Sequence, residues 1–126
     1  MNRKQLEEYI TETYNAKAEH PWAPDTMHTV FRHVNNRKWF AVVMEIPKTK
    51  LGIKEDGMIN VVNLKCDPIM TGSFLAEEGI FPAYHMSKTH WLSVAIDGRA
   101  NEERLKLLLD ISFDLTVKKN IRKKSF

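Results

Sequence analysis

The pattern over residues 79–115 constrains the fold of this chain more than any other stretch. Two apolar runs, residues 80–86 and 90–96, are separated only by the polar triplet at residues 87–89. Apolar runs joined by a short polar turn are typical of a β-hairpin. The first half of this stretch therefore predicts two paired strands.

The chain continues from this hairpin into a long amphipathic helix. Asp97 and Gly98 favour a turn, and Asn101 is a residue type that caps helix N-termini. Apolar or small residues then recur at intervals of three and four, which places them on one face of a helix. The predicted buried face consists of Leu105, Leu108, Leu109, Ser112 and Leu115.

A second amphipathic helix is predicted over residues 2–16, where apolar residues recur with the same spacing. Two prolines prevent the helix from continuing into residues 19–25, so this segment is predicted to be a loop. We expect Trp22 in this loop to pack inward. The predicted buried face of the helix consists of Leu6, Tyr9, Ile10, Thr13 and Tyr14.

Three strands are predicted in the middle of the chain. Residues 27–32 alternate in polarity, residues 38–46 are rich in aromatic and β-branched types, and turn-forming residues 35–37 lie between them. This arrangement predicts a first hairpin. The polar residues 47–57 form a longer connection, and the apolar residues 58–64 that follow predict a third strand.

A short helix is predicted between this strand and the second hairpin. Asp67 suits the N-cap and Pro68 the first helical position, and we expect Gly79 to close the helix. The elements together predict an α+β fold in the order α-βββ-α-ββ-α, with a mainly antiparallel sheet and helices on one face. A chain of 126 residues suits a single two-layer domain over residues 1–126.

Composition places the chain among folded proteins. Hydrophobic residues make up 43% of it and charged residues 28%, which is ordinary for a folded domain. Cys66 is the only cysteine, so no internal disulfide forms. No apolar run reaches the roughly 18 residues of a membrane helix, and the N-terminus lacks the apolar centre of a signal peptide. We expect a cytoplasmic protein, with a monomer as the favoured state.

Positive charge is concentrated in the basic C-terminal end, residues 118–124. Five of the 19 basic residues lie there without an acid, so residues 1–117 hold 14 basic and 16 acidic side chains. Such a cluster favours contact with phosphates, because each neutralised phosphate releases counterions. The alternative is that these cations complement the dipole of the last helix and keep it solvated. The basic residues are Lys118, Lys119, Arg122, Lys123 and Lys124.

The sequence contains no motif of a catalytic, nucleotide or metal site. Its five histidines do not form an HExxH motif, and Cys66 has no cysteine or histidine at zinc-finger spacing. The G-x-S-x-G elbow of hydrolases and the glycine-rich phosphate loops are also absent. We therefore expect a protein that is not an enzyme and takes neither metal nor cofactor. A catalytic role for His85 and His90 is the remaining alternative.

Basic side chains recur at the predicted turns. Arg37 and Lys38 lie at the tip of the first hairpin, and Lys88 lies at the tip of the second. Two cationic tips suit phosphate contacts along a duplex, which position a protein without reading base sequence. The alternative is that these turns are simply polar, since nearby acidic residues dilute their field.

Several short motifs occur along the chain in a fixed order. They are Lys38-Trp39-Phe40-Ala41, Leu64-Lys65-Cys66-Asp67-Pro68, the turn Ser87-Lys88-Thr89-His90-Trp91, and an L-x-x-S-[YF]-x-L pattern ending at Leu115. The order of these motifs resembles that of the MmcQ/YjbR family, and Ser87 stands where asparagine is frequent in that family. The resemblance covers nearly the whole chain.

The resemblance implies a CyaY-like or secretion-chaperone-like α+β fold and DNA binding through a double wing. We therefore expect a non-enzymatic protein that binds double-stranded DNA with low sequence specificity through basic hairpin tips. The alternative is a protein partner, which would dock on an apolar face formed by the sheet and the last helix. The predicted DNA contacts are Arg37, Lys38, Lys88, His90, Lys118, Lys119, Arg122 and Lys123.

Overall fold

Three α-helices and a six-stranded antiparallel sheet form the part of the chain that the computed structural model describes, residues 1–22 and 27–117. The strands follow one another across the sheet in the order β1-β2-β3-β4-β6-β5. The α+β prediction and its element order are confirmed, with one additional strand, β1. The elements are α1 (Arg3–Tyr14), β1 (Lys17–Glu19), β2 (Thr29–Arg32), β3 (Trp39–Pro47), β4 (Met58–Lys65), α2 (Pro68–Leu75), β5 (Ile80–Pro82), β6 (Trp91–Ala95) and α3 (Glu102–Thr116).

Local capping signals decide where the helices begin. Asn2 caps α1 by accepting a hydrogen bond from the backbone of Gln5 at 2.8 Å, and the Gln5 side chain accepts one from the Asn2 backbone at 2.9 Å. This reciprocal pair is a capping box. Asp67 and Asn101 cap α2 and α3 as the sequence predicts. Within the described residues, every helix is too short or too polar to cross a lipid bilayer.

Gly79 has a different role from the predicted one. The prediction that it closes α2 is wrong, because α2 ends at Leu75 and Ala76 is its C-cap. Gly79 adopts a φ of +84°, and a Cβ atom there would lie 2.7 Å from the backbone nitrogen of Ala100. A glycine at this position lets the chain pass close to Ala100, just before α3, as the chain turns into β5.

The sheet separates two apolar clusters. One face packs against all three helices, which contribute Leu6, Phe74 and Leu108 to the main core. The other face, which we call the loop-covered face, carries Val42 and Met44 and is covered by connecting segments rather than by helices. The prediction of helices on one face is thus confirmed.

A β-bulge determines which face receives Trp39. The pairing of β2 with β3 shifts register and leaves Phe40 without a partner on β2. As a result Phe40 and Ala41 both belong to the main core, whereas Trp39 packs with Val42 and Met44 on the loop-covered face. Strict alternation would have placed Trp39 on the same face as Ala41.

Ser112 of α3 ties this bulge to the helix layer. Its hydroxyl donates to the carbonyl of Phe40 at 2.6 Å and accepts from the backbone N–H of Lys65 at 2.9 Å. Ser112 is fully buried, so these bonds satisfy two strand groups that would otherwise lack partners. The serine of the L-x-x-S-[YF]-x-L motif therefore has a structural role in this chain.

Two predicted boundaries are wrong. Residues 17–19 form β1 rather than leading directly into a loop, and β5 ends at Pro82, so residues 83–90 form a long connection to β6. In this connection the N–H of Tyr84 donates to the Ser93 hydroxyl at 3.0 Å, and its carbonyl accepts from the Asn63 side chain at 2.8 Å. Side chains thus replace the strand partner that would have extended β5.

Candidate functional site

Both predicted hairpin turns lie at the same end of the sheet. Lys65, the last residue of β4, is opposite Trp91, the first residue of β6, and β3 begins beside the same end of β4. The turn before β3, residues 33–38, and the connection before β6, residues 83–90, therefore leave the sheet together. We call this edge the tip end.

Helix α3 also ends at the tip end. The Asn36 side chain donates to the carbonyl of Thr116 at 2.8 Å, and Nε2 of His33 lies 2.6 Å from the Thr116 hydroxyl. Val117, the residue after Thr116, is the last residue of the described range. The predicted contacts that follow, and that lie outside the described residues, are Lys118, Lys119, Arg122 and Lys123.

The first turn presents Arg37 and Lys38 to solvent. The His33 N–H donates to the Lys38 carbonyl at 3.0 Å, and the Arg37 N–H donates to the His33 carbonyl at 3.0 Å. Arg37 has a φ of +62°. The backbone is therefore fixed while both cationic side chains are exposed, and neither forms an ion pair with another described residue.

The second connection presents Lys88 and His90. The Lys88 ammonium donates to the Ala83 carbonyl at 2.8 Å, which uses one of its three N–H groups. The His90 ring is exposed, with Nδ1 3.4 Å from the Ser87 hydroxyl. Lys88 thus holds its own connection in place and keeps two N–H groups for a further acceptor.

The acidic groups near the tip end are partly engaged. Glu19 is paired with Arg32 at 2.8 Å, and the Asp67 carboxylate accepts from the N-terminus of α2. Asp114 is exposed and offsets part of the positive charge. Arg37, Lys38 and Lys88 form no ion pair with another described residue, so they are the main charges that the described tip end presents to a partner.

The histidines and the cysteine do not gather into a metal-binding cluster in the described part of the chain. No group of three or more His, Cys, Asp or Glu side chains gathers there in a way that would hold a metal ion. Burial raises the pKa of the Cys66 thiol, which disfavours the reactive thiolate.

The sheet and α3 bury their apolar faces against each other. Leu105, Leu108 and Leu109 of α3 belong to the same core as Val62 and Leu64 of β4. The apolar faces of the sheet and α3 that contact each other are therefore part of the main core, while Leu107 of α3 remains exposed.

An apolar pocket of about 310 Å³ lies on the loop-covered face. Trp22, Trp39 and Tyr84 form its aromatic walls, and Val42 and Met44 belong to its lining from β3. The prediction that Trp22 packs inward is wrong, because the indole is 41% exposed and meets Trp39 edge-on with ring centroids 5.7 Å apart. Trp22 lines the pocket on the loop-covered face instead of entering the main core.

This pocket was not predicted from the sequence. Its aromatic residues are far apart in the chain, and the bulge reverses the face that alternation assigns to Trp39. One signal was present: Val42, Val43 and Met44 are consecutive apolar residues, as in strands that are buried on both faces.

Comparison with known sequences identifies related proteins. The YjbR family model matches residues 11–115 of this chain. The uncharacterized protein YyaQ of Bacillus subtilis (strain 168) is 32% identical over 116 residues, a match that covers 92% of this chain and 98% of YyaQ.

Solved structures share the fold. A crystal structure of a Pseudomonas syringae protein has a TM-score of 0.87 and 42% identity, covering 92% of this chain and 99% of that one. A crystal structure of the Deinococcus radiodurans protein DR2400, of the domain family DUF419, has a TM-score of 0.69 and 25% identity, covering 94% of this chain and 80% of that one.

Proposed function

Because this chain belongs to the YjbR family, we propose that it binds double-stranded DNA with low sequence specificity and catalyses no reaction. The observation that carries the proposal is the convergence of the predicted contacts. The sheet register brings the turns of Arg37, Lys38 and Lys88 to the tip end, and α3 ends beside the first turn. A protein partner at the same surface is the alternative outcome.

The form of the turns suits contact with phosphates rather than with base edges. Arg37 and Lys38 extend from a turn whose backbone is closed by hydrogen bonds, so little backbone entropy is lost on binding. Long flexible cations on exposed turns position a protein on the backbone of the duplex. Low sequence specificity follows, since contacts to phosphates carry no information about the bases.

Salt dependence gives the proposal a quantitative form. Each neutralised phosphate contributes about −0.9 to the slope of log K against log salt concentration. Phosphate contacts from Arg37, Lys38 and Lys88 alone predict a slope of about −3. If the five basic residues of 118–124 also contact phosphates, the slope becomes about −7.

The experiment is a fluorescence-anisotropy titration of two unrelated duplexes of equal length at several salt concentrations. We expect similar affinities for both and the slope given above. The variant Lys38→Glu with Lys88→Glu removes two tip cations and flattens the slope by about 2. Its matched control, Lys50→Glu with Lys54→Glu, makes the same charge change at the opposite end of the sheet, where both side chains are exposed.

Two results overturn the proposal. One is the absence of binding at roughly 100 μM protein in low salt, where even non-specific DNA-binding proteins bind. The other is an equal loss of affinity in the two double variants, because that result would trace binding to net charge rather than to the tip end.

A further inference from the structure

One wall of the pocket on the loop-covered face is held in place by buried hydrogen bonds. Asn63 and Ser93 are buried, and the Ser93 hydroxyl donates to the Asn63 side chain at 2.5 Å. Together they hold both backbone polar groups of Tyr84. Side chains of the sheet therefore hold the Tyr84 backbone in place. Because this wall is already ordered, less entropy is lost when a ligand binds.

The walls favour a flat aromatic ring. The indoles of Trp22 and Trp39 meet at an interplanar angle of 85°, which leaves ring faces and edges for a third aromatic group. Met44 and Met86 add polarizable thioethers, which pack well on aromatic rings. A volume of about 310 Å³ is at the lower limit for ligand sites and suits one or two fused rings.

The charge around the pocket favours an uncharged ligand over a cationic one. The Arg32 guanidinium lies outside the pocket but only 5.3 Å from the centre of the Trp39 ring, so one cation already interacts with that ring. No carboxylate lines the pocket in the described part of the chain. An uncharged ring therefore fits these walls better than an ammonium group.

His28 supplies polar recognition at the rim. Its ring packs edge-on against Trp22 with centroids 5.5 Å apart. Burial, Arg3 and His85 lower the pKa of His28, so at neutral pH the imidazole is uncharged. A neutral imidazole has one donor and one acceptor nitrogen, which matches the edge of a heteroaromatic ring.

We propose that this pocket binds an uncharged, planar heteroaromatic ring, which stacks on Trp22 and Trp39 and hydrogen-bonds to His28. Such a ring is available from a free small molecule or from an unpaired base of a nucleic-acid strand. The proposal does not depend on duplex binding at the tip end.

The test uses the full chain carrying Trp91→Phe. Trp91 does not line the pocket, so the remaining indoles, Trp22 and Trp39, report on it. Adenosine represents the free ring, and a short single-stranded oligoadenylate represents the strand. We expect saturable quenching by at least one of the two probes. Adding Trp22→Ala weakens that binding by about 5- to 100-fold, and because Trp22 is partly exposed this change spares the main core.

The variants separate the outcomes. Quenching by adenosine identifies a free-ring site, and quenching by the oligoadenylate alone identifies a site for a strand-borne base. His28→Ala keeps both reporting indoles and should also weaken binding, whereas Lys38→Glu alone, an exposed change in the first turn, should leave adenosine binding unchanged. The proposal is overturned if neither probe quenches saturably, or if binding is as tight without Trp22 and without His28.

Discussion

At the scale of single residues, His33 locks the first turn to the helix layer. Its ring is 6% exposed and stacks on Phe113 with centroids 4.2 Å apart. Nε2 lies 2.6 Å from the Thr116 hydroxyl, which also donates to the Ser112 carbonyl at 2.8 Å. The backbone that carries Arg37 is therefore anchored by an imidazole that has little access to water.

This anchor makes stability depend on pH. Burial lowers the pKa of His33 in the folded state, so below about 6.5 the unfolded chain binds a proton that the folded chain resists. The free energy of unfolding should fall as the pH drops from 7.5 to 5. Replacement by an uncharged side chain, His33→Gln, should flatten this fall by up to about 1.4 kcal/mol per pH unit.

Urea denaturation across this pH range measures the effect. At pH 8 both proteins hold only uncharged side chains at position 33, so their difference there reports packing alone. Parallel curves for the two proteins below pH 6.5 would contradict the assignment of His33 as a buried, proton-resisting group.

At the scale of elements, two glycines differ in whether the structure has room for a side chain. Gly79 combines a positive φ with close approach to Ala100, whereas Gly72 lies inside α2 with open space where a Cβ would stand. The same substitution should therefore have opposite effects at the two positions.

Gly79→Ala should lower the free energy of unfolding by more than about 1 kcal/mol, because the new Cβ meets backbone atoms and the positive φ is strained. Gly72→Ala should raise it by about 0.5–1 kcal/mol through helix propensity. Thermal and urea unfolding of the two variants beside the unmodified protein measures both shifts. Equal effects of the two substitutions would show that the close approach at Ala100 carries no cost.

Elements with local signals could be predicted from the sequence, and elements defined by distant partners could not. The caps at Asp67 and Asn101 placed the beginnings of α2 and α3 correctly, because capping depends on neighbouring residues. β1 has three residues and no apolar alternation, and it forms only because β2 supplies hydrogen bonds. The pocket depends on a bulge and on long-range contacts of Trp22, neither of which has a local signature.

At the scale of the whole molecule, the sheet register turns scattered cations into one surface. The charges of Arg37, Lys38 and Lys88 are visible in the sequence, but their common position follows only from the pairing of β3, β4 and β6. The pocket lies on the loop-covered face of the same sheet, and His85 and Met86 of its lining belong to the connection that carries Lys88. One connection therefore serves both proposed sites.

The most direct test of this account is an NMR titration of the isotope-labelled full chain with a DNA duplex in low salt. We predict that backbone amide chemical shifts change for residues 33–38 and 87–91 at the tip end. The amide chemical shifts of residues 48–57 at the opposite end should stay unchanged. Shift changes centred on residues 48–57, or no changes at saturating duplex, would contradict the claim that this protein meets DNA through its tip end.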